Sequence, residues 1–322
     1  MSDSIPILDA AADRGELVRA FDAAYRSVGF AHLVNHGIDP ELIGAVFDAS
    51  RSFHALPRDQ KMAIELNRAN RGFMPINTST DTTTTMATVT APNQSESFLA
   101  MCEHAPDSPE MRRGDYLSGP NVWPDLPGFR EVVMEYHGRM CELGRSIVAV
   151  AAEAMGSEPG PIVEHFASPI ASVRLLRYPP HPADSPPGVF GSAPHRDFGC
   201  LTFLAQDDTG GLAVRSPSGS WIDVDPLEGA FVVNVGDMLR QWSNGRFLAT
   251  PHRVVNRSER DRYSIPFFFD PHESTIIEPL PSCVTPDRPA AYEAVRFGDH
   301  IRRELEAGFD HHKPGSGDVT RR

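Results

Sequence analysis

Apolar residues change their spacing once along this chain, from a helical rhythm in the first half to short β-rich runs in the second. Residues 14–26 carry Leu17, Ala20, Phe21, Ala24 and Tyr25 at three- and four-residue intervals, the stripe of a helix that buries one face. Asp39-Pro40 opens a second helix that runs to about Phe53: Asp supplies a capping oxygen, and Pro in the first turn has no N–H to leave unpaired. A third helix is predicted from Phe129 to about Ala154, with Val132, Val133, Tyr136, Met140, Leu143, Ile147, Val150 and Ala151 on its apolar side. Ile5-Pro6-Ile7-Leu8 and residues 30–34 read as short strands, the second closed by Asn35-His36-Gly37. Residues 77–90, with their Thr-rich run, read as a mobile loop or an exposed hairpin.

After Ser168 the texture is β. Runs at 171–177, 200–206, 211–215, 221–224, 230–235, 253–256 and 262–269 alternate with Gly210-Gly211, Ser218-Gly219, Gly236-Asp237 and Asn244-Gly245. Many short strands at turn spacing predict a sandwich or jelly roll. With no internal repeat and no linker, residues 1–322 read as one α+β domain, mostly β at its core. An N-terminal segment (1–125) would brace a jelly-roll core (168–275), and 310–322 would form a flexible tail.

Composition narrows the classes. Lys+Arg 30 against Asp+Glu 43 leaves a net charge of −13, which disfavours nucleic-acid backbones and anionic membranes as partners. Only Lys61 and Lys313 are lysines, an arginine bias typical of a GC-rich bacterial genome. The four cysteines are scattered without a C-x-x-C, which suits free thiols in a reducing compartment. No signal peptide and no apolar run long enough to span a bilayer is apparent, so the expectation is a cytoplasmic monomer acting on a small molecule.

The candidate chemistry lies in His195-Arg196-Asp197, His252 and Arg262-Tyr263-Ser264. Two imidazoles and a carboxylate are the set that holds a non-haem Fe(II) on one face and leaves the other open. In a strand, residues two apart share a face, so His195 and Asp197 can clasp one metal while Arg196 points away. His252 would add the third ligand from another strand, with Arg262 on its hairpin neighbour and Ser264 facing the same way. A guanidinium and a hydroxyl beside a metal suit an anionic co-substrate. Asp at 197, rather than Gly or Ala, favours hydroxylation or desaturation over halogenation. Any of the thirteen histidines taken alone is more readily a solvated or hydrogen-bonded residue, and His32, His36, His54, His104, His137, His165, His181, His272, His300, His311 and His312 stay in that class. The string His195-Arg196-Asp197-Phe198-Gly199 overlays two kinase motifs, but a kinase separates them and needs a glycine-rich loop and a strand lysine upstream.

These residues, with Gly29-Phe30, Asn35-His36-Gly37-Ile38, Leu56-Pro57, Arg71-Gly72-Phe73, Asn121-Val122-Trp123-Pro124, residues 174–180, Gln206-Asp207-Asp208, Gly210-Gly211-Leu212, Val233-Asn234-Val235-Gly236-Asp237 and Trp242-Ser243-Asn244-Gly245, follow an order that runs almost end to end. In that order the chain resembles the isopenicillin N synthase-like family of Fe(II)/2-oxoglutarate-dependent oxygenases. Leu176-Arg177 and Ala205-Gln206-Asp207-Asp208 lean toward its bacterial or fungal branch. The resemblance implies a double-stranded β-helix with His195, Asp197 and His252 as iron ligands. It implies that Arg262 and Ser264 hold the distal carboxylate of 2-oxoglutarate, that Tyr178 lines the co-substrate pocket and that Arg174 reaches into the site. The implied activity is O2-dependent oxidation of a small metabolite (hydroxylation, desaturation or cyclisation) with release of succinate and CO2. Its substrate pocket is expected from 73–101 and Phe267-Phe268-Phe269, with the Thr-rich loop as a lid. The rivals are a 2-oxoglutarate-independent Fe(II) oxidase or cyclase of the same fold, and a non-catalytic metal- or ligand-binding jelly roll.

Overall fold

The computed structural model describes residues 4–79, 88–181 and 185–308. In chain order these form β1 (Ile7–Asp9), α1 (Arg14–Ser27), β2 (Phe30–Val34), α2 (Pro40–His54), α3 (Arg58–Met62), β3 (Gly72–Met74), β4 (Glu96–Met101), α4 (Pro109–Arg113), α5 (Phe129–Ala154) and α6 (Pro159–Glu164). The second half adds β5 (Ile170–Tyr178), β6 (Ser192–His195), β7 (Leu201–Gln206), β8 (Leu212–Arg215), β9 (Trp221–Asp223), β10 (Phe231–Val235), α7 (Asp237–Trp242), β11 (His252–Val254), β12 (Arg262–Asp270), β13 (Ile276–Ile277), β14 (Val295–Arg296) and α8 (Phe297–Gly308). The three helices read from apolar spacing are α1, α2 and α5. Asp13 and Asp39 cap the first two, accepting the N–H groups of Gly15 and Glu41 at 2.9 Å. Most of the Thr-rich run and the whole 310–322 tail lie outside the described residues.

Two sheets face each other. The larger has eight strands in the order β1-β2-β10-β7-β12-β5-β4-β3, and the smaller has four in the order β6-β11-β8-β9. The N-terminal segment therefore does more than brace the core with helices, because β1 to β4 extend the large sheet on both flanks. The expected hairpin between the strands of His252 and Arg262 is not formed. β11 pairs with β6 and β8 in the small sheet, whereas β12 lies between β5 and β7 in the large one. His252 and Arg262 thus approach from opposite walls.

The large sheet is buried on both faces, and the two-residue strand period sorts its side chains. Phe203, Val233, Ile265, Phe267 and Phe269 face outward into the main apolar core with Phe21, Tyr25, Phe53, Val133 and Met140 of α1, α2 and α5. Phe267 meets the ring of His137 on α5, and Phe269 stacks on Phe166 at 5.0 Å. The opposite face sends Phe30, Leu176, Tyr178 and Val232 against Leu212, Val214 and Val254 of the small sheet. Of the three phenylalanines expected along the substrate pocket, only Phe268 points inward, since its neighbours occupy the helix-facing positions. No described helix is long and apolar enough to cross a membrane.

One buried ionic cluster ties α2 and α3 to the sheet. Glu96 Oε1 on β4 accepts from Lys61 Nζ at 2.9 Å and Arg177 Nη1 at 3.2 Å, and lies 3.0 Å from His54 Nδ1. Burial alone would raise the Glu96 pKa, but bonds from His54 and Lys61 outweigh it and hold it at about 2, against an ordinary 4.5. The folded state binds that proton more weakly than the unfolded chain, so the cluster's contribution is present above about 4.5 and drains away as pH falls toward 2. Removing the carboxylate leaves Lys61 buried without its counter-charge, at a cost of about 3 kcal/mol. Urea unfolding of Glu96→Gln should show that loss at neutral pH and a shallower decline in acid than the wild type. Equal acid slopes would assign the acid sensitivity elsewhere.

Candidate active site

The residues predicted to bind a metal converge where β6 meets β11. His195 and His252 stand directly opposite in the antiparallel register, with ring centroids 4.3 Å apart. β6 ends at His195, and the chain then bends so that Asp197 returns beneath both rings. Asp197 Oδ1 lies 3.6 Å from His195 Nε2 and 3.7 Å from His252 Nε2. These three ligand atoms fall within 4.8 Å of one another, the one such cluster among the described residues. Donors bound at about 2.0–2.2 Å to one ion are separated by about 3–4 Å, which this triad satisfies. Arg196 lies past the end of β6, so the bend rather than strand alternation directs it; it donates Nε to Ala249 O at 2.9 Å.

The orientation of the donors also fits a metal. His195 Nδ1 lies 2.7 Å from Ala193 O and His252 Nδ1 lies 3.3 Å from Thr250 O. A carbonyl can only accept, so each Nδ1 carries the proton and each Nε2 presents its lone pair to the shared point. Thr202 Oγ1 and Asn234 Nδ2 both donate to Asp197 Oδ2, the latter at 2.7 Å, leaving Oδ1 turned toward the imidazoles. Burial would raise the Asp197 pKa, but His252, His195 and these two donors lower it, so the group is a carboxylate.

The loop after the triad is pinned by close backbone packing. Asp237 N and Met238 N donate to Asp197 O and Gly199 O at 2.8 and 2.9 Å, and Gly236 N donates to Cys200 O at 2.9 Å. A Cβ on Gly236 would strike the Gly199 carbonyl, and one on Gly199 would strike the Asp270 carboxyl, so both positions require glycine.

Two cavities open from the triad. The smaller runs between the sheets and is lined by Tyr178, Leu212, Asn234, His252, Arg262 and Ser264, among others. Arg262 is fully buried: Nε donates to Gly210 O at 2.6 Å, Nη1 to Ser264 Oγ at 3.1 Å and Nη2 to Gln206 Oε1 at 3.2 Å. The Tyr178 ring covers the guanidinium, with Cζ 4.9 Å from its centroid. Arg262 is in no ion pair among the described residues, and with three N–H groups committed, one remains on each terminal nitrogen.

The larger cavity, ≈ 360 Å³, lies on the other side of His195 and Asp197 and is lined by Asn70, Leu99, Met101, Ile170, Phe198, Asp270 and Leu305, among others. Its volume suits a small organic molecule. Arg174, Phe268 and Asn93 border both cavities. Arg174 Nε donates to Ser97 Oγ at 2.9 Å, and Nη2 lies 3.3 Å from Met74 Sδ. Leu99 and Met101 come from the 73–101 stretch expected to line the substrate pocket. Sequence reasoning assigned no role to Thr202, Asn234, Gln206, Asn93 or Asp270.

Comparison with known proteins agrees with this geometry. Residues 169–271 match the 2OG-Fe(II) oxygenase superfamily, and residues 5–126 match the non-haem dioxygenase N-terminal region named for morphine synthesis. A 2-oxoglutarate-Fe(II) type oxidoreductase of Emericella nidulans, hxnY, is 36% identical over 94% of this chain and 90% of its own. The homoarginine-6-hydroxylase 2-ODD-C23.1 of Arabidopsis thaliana is 33% identical over 94% of this chain and 92% of its own. Among solved structures, a full-length Neurospora crassa protein in complex with alpha-KG and thymine superposes with a TM-score of 0.81 at 29% identity, covering 94% of this chain and 97% of that one. The chain belongs to the 2OG-Fe(II) oxygenase superfamily, enzymes that use Fe(II), 2-oxoglutarate and O2.

Proposed function

We propose that His195, Asp197 and His252 hold the Fe(II) of this dioxygenase, that Arg262 and Ser264 grip the distal carboxylate of 2-oxoglutarate, and that a small metabolite enters the larger cavity. The observation that carries the reading is Arg262, a fully buried guanidinium without an acidic partner among the described residues, in a cavity bordered by the metal triad. A buried charge needs a counter-charge, and a dicarboxylate reaching from the triad would supply it. Ser264 Oγ accepts from Arg262, which leaves its own O–H to donate to the same anion. Tyr178 holds the guanidinium plane from above, and Arg174 stands at the border between co-substrate and substrate.

When bound, the iron with 2-oxoglutarate and O2 supplies the oxidation of a C–H bond, with succinate and CO2 as co-products. The chain's own work is to position and to exclude. His195 Nε2, His252 Nε2 and Asp197 Oδ1 would hold the metal, and both cavities border these residues. The apolar lining from Leu176, Leu204, Leu212 and Val254 limits water in the smaller cavity. Small-molecule substrates accord with the relatives, one named for homoarginine and another holding thymine. The reading extends to a monomer in the cytoplasm, the compartment being the part that the four free thiols support.

Two measurements test these roles. Asn234→Ala removes a donor that fixes the metal-binding carboxylate and should weaken anaerobic Fe(II) binding about 10- to 100-fold, while Asp197→Ala abolishes it. Unchanged iron affinity in both would remove Asp197 from the ligand set. Anaerobic addition of 2-oxoglutarate to the iron-loaded protein should raise a weak visible charge-transfer band. Arg262→Ala should require roughly 30- to 100-fold more 2-oxoglutarate to raise it, and Ser264→Ala several-fold more. A band that titrates identically in Arg262→Ala would contradict the carboxylate grip, and no band in the wild type despite bound iron would favour an oxidase or cyclase working without 2-oxoglutarate.

A further inference from the structure

β12 works as a ruler through the site. Arg262, Ser264, Pro266 and Phe268 follow one another along its inward face into the cavities, and Asp270 ends the row. Arg262 and Ser264 belong to the co-substrate cavity, Phe268 to both, and Asp270 to the larger cavity alone. Asp270 stands opposite Ile170 on β5, four residues along from Arg174, so the two charged side chains mark ends about 13 Å apart by strand rise.

Asp270 is only 5% exposed as a residue, yet it lines the larger cavity. Its Oδ1 accepts the Cys200 N–H at 2.6 Å, and no described donor reaches Oδ2. Nor is there an Arg or Lys partner for it among the described residues. The chain has made room for this group, since Gly199 lies so close that any side chain there would displace it. Burial, reinforced by the charge of Asp197, pushes its pKa up to about 7. Glu304 of α8 lines the same cavity and is in no ion pair among the described residues. Leu99, Met101, Ile170, Phe198, Ile301 and Leu305 supply apolar wall between these groups and the triad.

We infer that Asp270 is the substrate-recognition residue of this enzyme and that its ligand is a small organic cation, an amine or guanidine on an apolar stem. The cationic head would bond to Oδ2 of Asp270, Glu304 would add a second negative charge, and the stem would lie along Ile170 and Phe268 toward the iron position. A carboxyl nine-tenths buried without a counter-charge tends to keep its proton, and a cation with N–H donors in the cavity would hold it ionised, supplying both the charge and the hydrogen bond. The chain's net charge of −13 favours the approach of such a ligand. This inference rests on the reading of the larger cavity as the substrate site.

The test uses matched probes on the Fe(II)- and 2-oxoglutarate-loaded protein under anaerobic conditions: hexylamine and phenethylamine against the neutral isosteres 1-hexanol and 2-phenylethanol. Calorimetry should find each amine bound about tenfold or more tightly than its alcohol. Asp270→Asn keeps the size of the side chain and an oxygen for the Cys200 N–H, and should erase most of that preference. Glu304→Gln, remote from the metal loop, should lower amine affinity by a smaller factor. Alcohols bound as tightly as amines, absence of binding by both, or an amine preference that survives Asp270→Asn overturns the inference. If Asp270→Asn fails to fold, the amine-to-alcohol ratio of the wild type and its change in Glu304→Gln decide. Loss of 2-oxoglutarate binding by the wild type would instead sink the co-substrate reading, which is measured separately.

Discussion

The site depends on how one carboxylate is divided between two tasks. Asp197 gives Oδ2 to Thr202 and Asn234 and keeps Oδ1 for the point shared with His195 and His252. Thr202 stands on β7 and Asn234 on β10, adjacent strands of the large sheet, whereas both histidines belong to the small sheet. The triad is therefore complete only when the two sheets are closed upon each other. The backbone of the same aspartate is held independently by the N–H of Asp237. A ligand fixed by its backbone and by one carboxylate oxygen has little freedom left to relax when a metal or co-substrate changes the local charge, which is how a site keeps an open coordination face without collapsing over it.

Period-two alternation then separates stability from chemistry within single strands. On β12, Ile265, Phe267 and Phe269 serve the core under the helices, while Ser264, Pro266 and Phe268 between them serve the cavities. A one-residue slip would place aromatic rings in the site and polar groups under α5, so the sheet's register is fixed from both sides. The buried Arg262 is held in the same way: Ser264 and Gln206, paired across the ladder, and the Gly210 carbonyl in the following turn accept three of its N–H groups.

How much of this is legible in the chain follows from what kind of information each feature needs. Helices α1, α2 and α5 declare themselves through apolar spacing, the first two also through Asp caps, and the candidate ligands through residue type and order. The strands with few residues do not: β6 is four residues of Ser-Ala-Pro-His, and β4 is all buried, without alternation to mark it. The pairing of β11 and β12 departs from expectation because proximity in sequence suggests a hairpin, whereas a double-stranded β-helix sends successive strands to opposite sheets. Thr202 and Asn234 do carry a signal. Each is a buried polar residue on the inter-sheet face of a mostly apolar strand, Leu-Thr-Phe-Leu-Ala-Gln and Phe-Val-Val-Asn-Val, and a buried polar group implies a partner. Nothing local identifies that partner, which is 5 residues away for one and 37 for the other.

Asp270 is invisible in the sequence for a related reason, since at a strand end an aspartate reads as the start of a turn. Its place in the fold constrains how it can act. Oδ1 satisfies Cys200 N–H, and drawing it away would leave a buried donor unpaired at a cost of about 1–3 kcal/mol. A ligand must therefore bind through Oδ2 with Oδ1 left in place, the same division of labour seen at Asp197. The two carboxylates hold opposite ends of one short loop, Asp197 to Cys200, whose middle is pinned by α7. With the loop held at both ends, the proposed substrate anchor would sit at a fixed distance from the proposed metal ligand. That is the condition for presenting one C–H bond, and not its neighbour, to the oxidising centre.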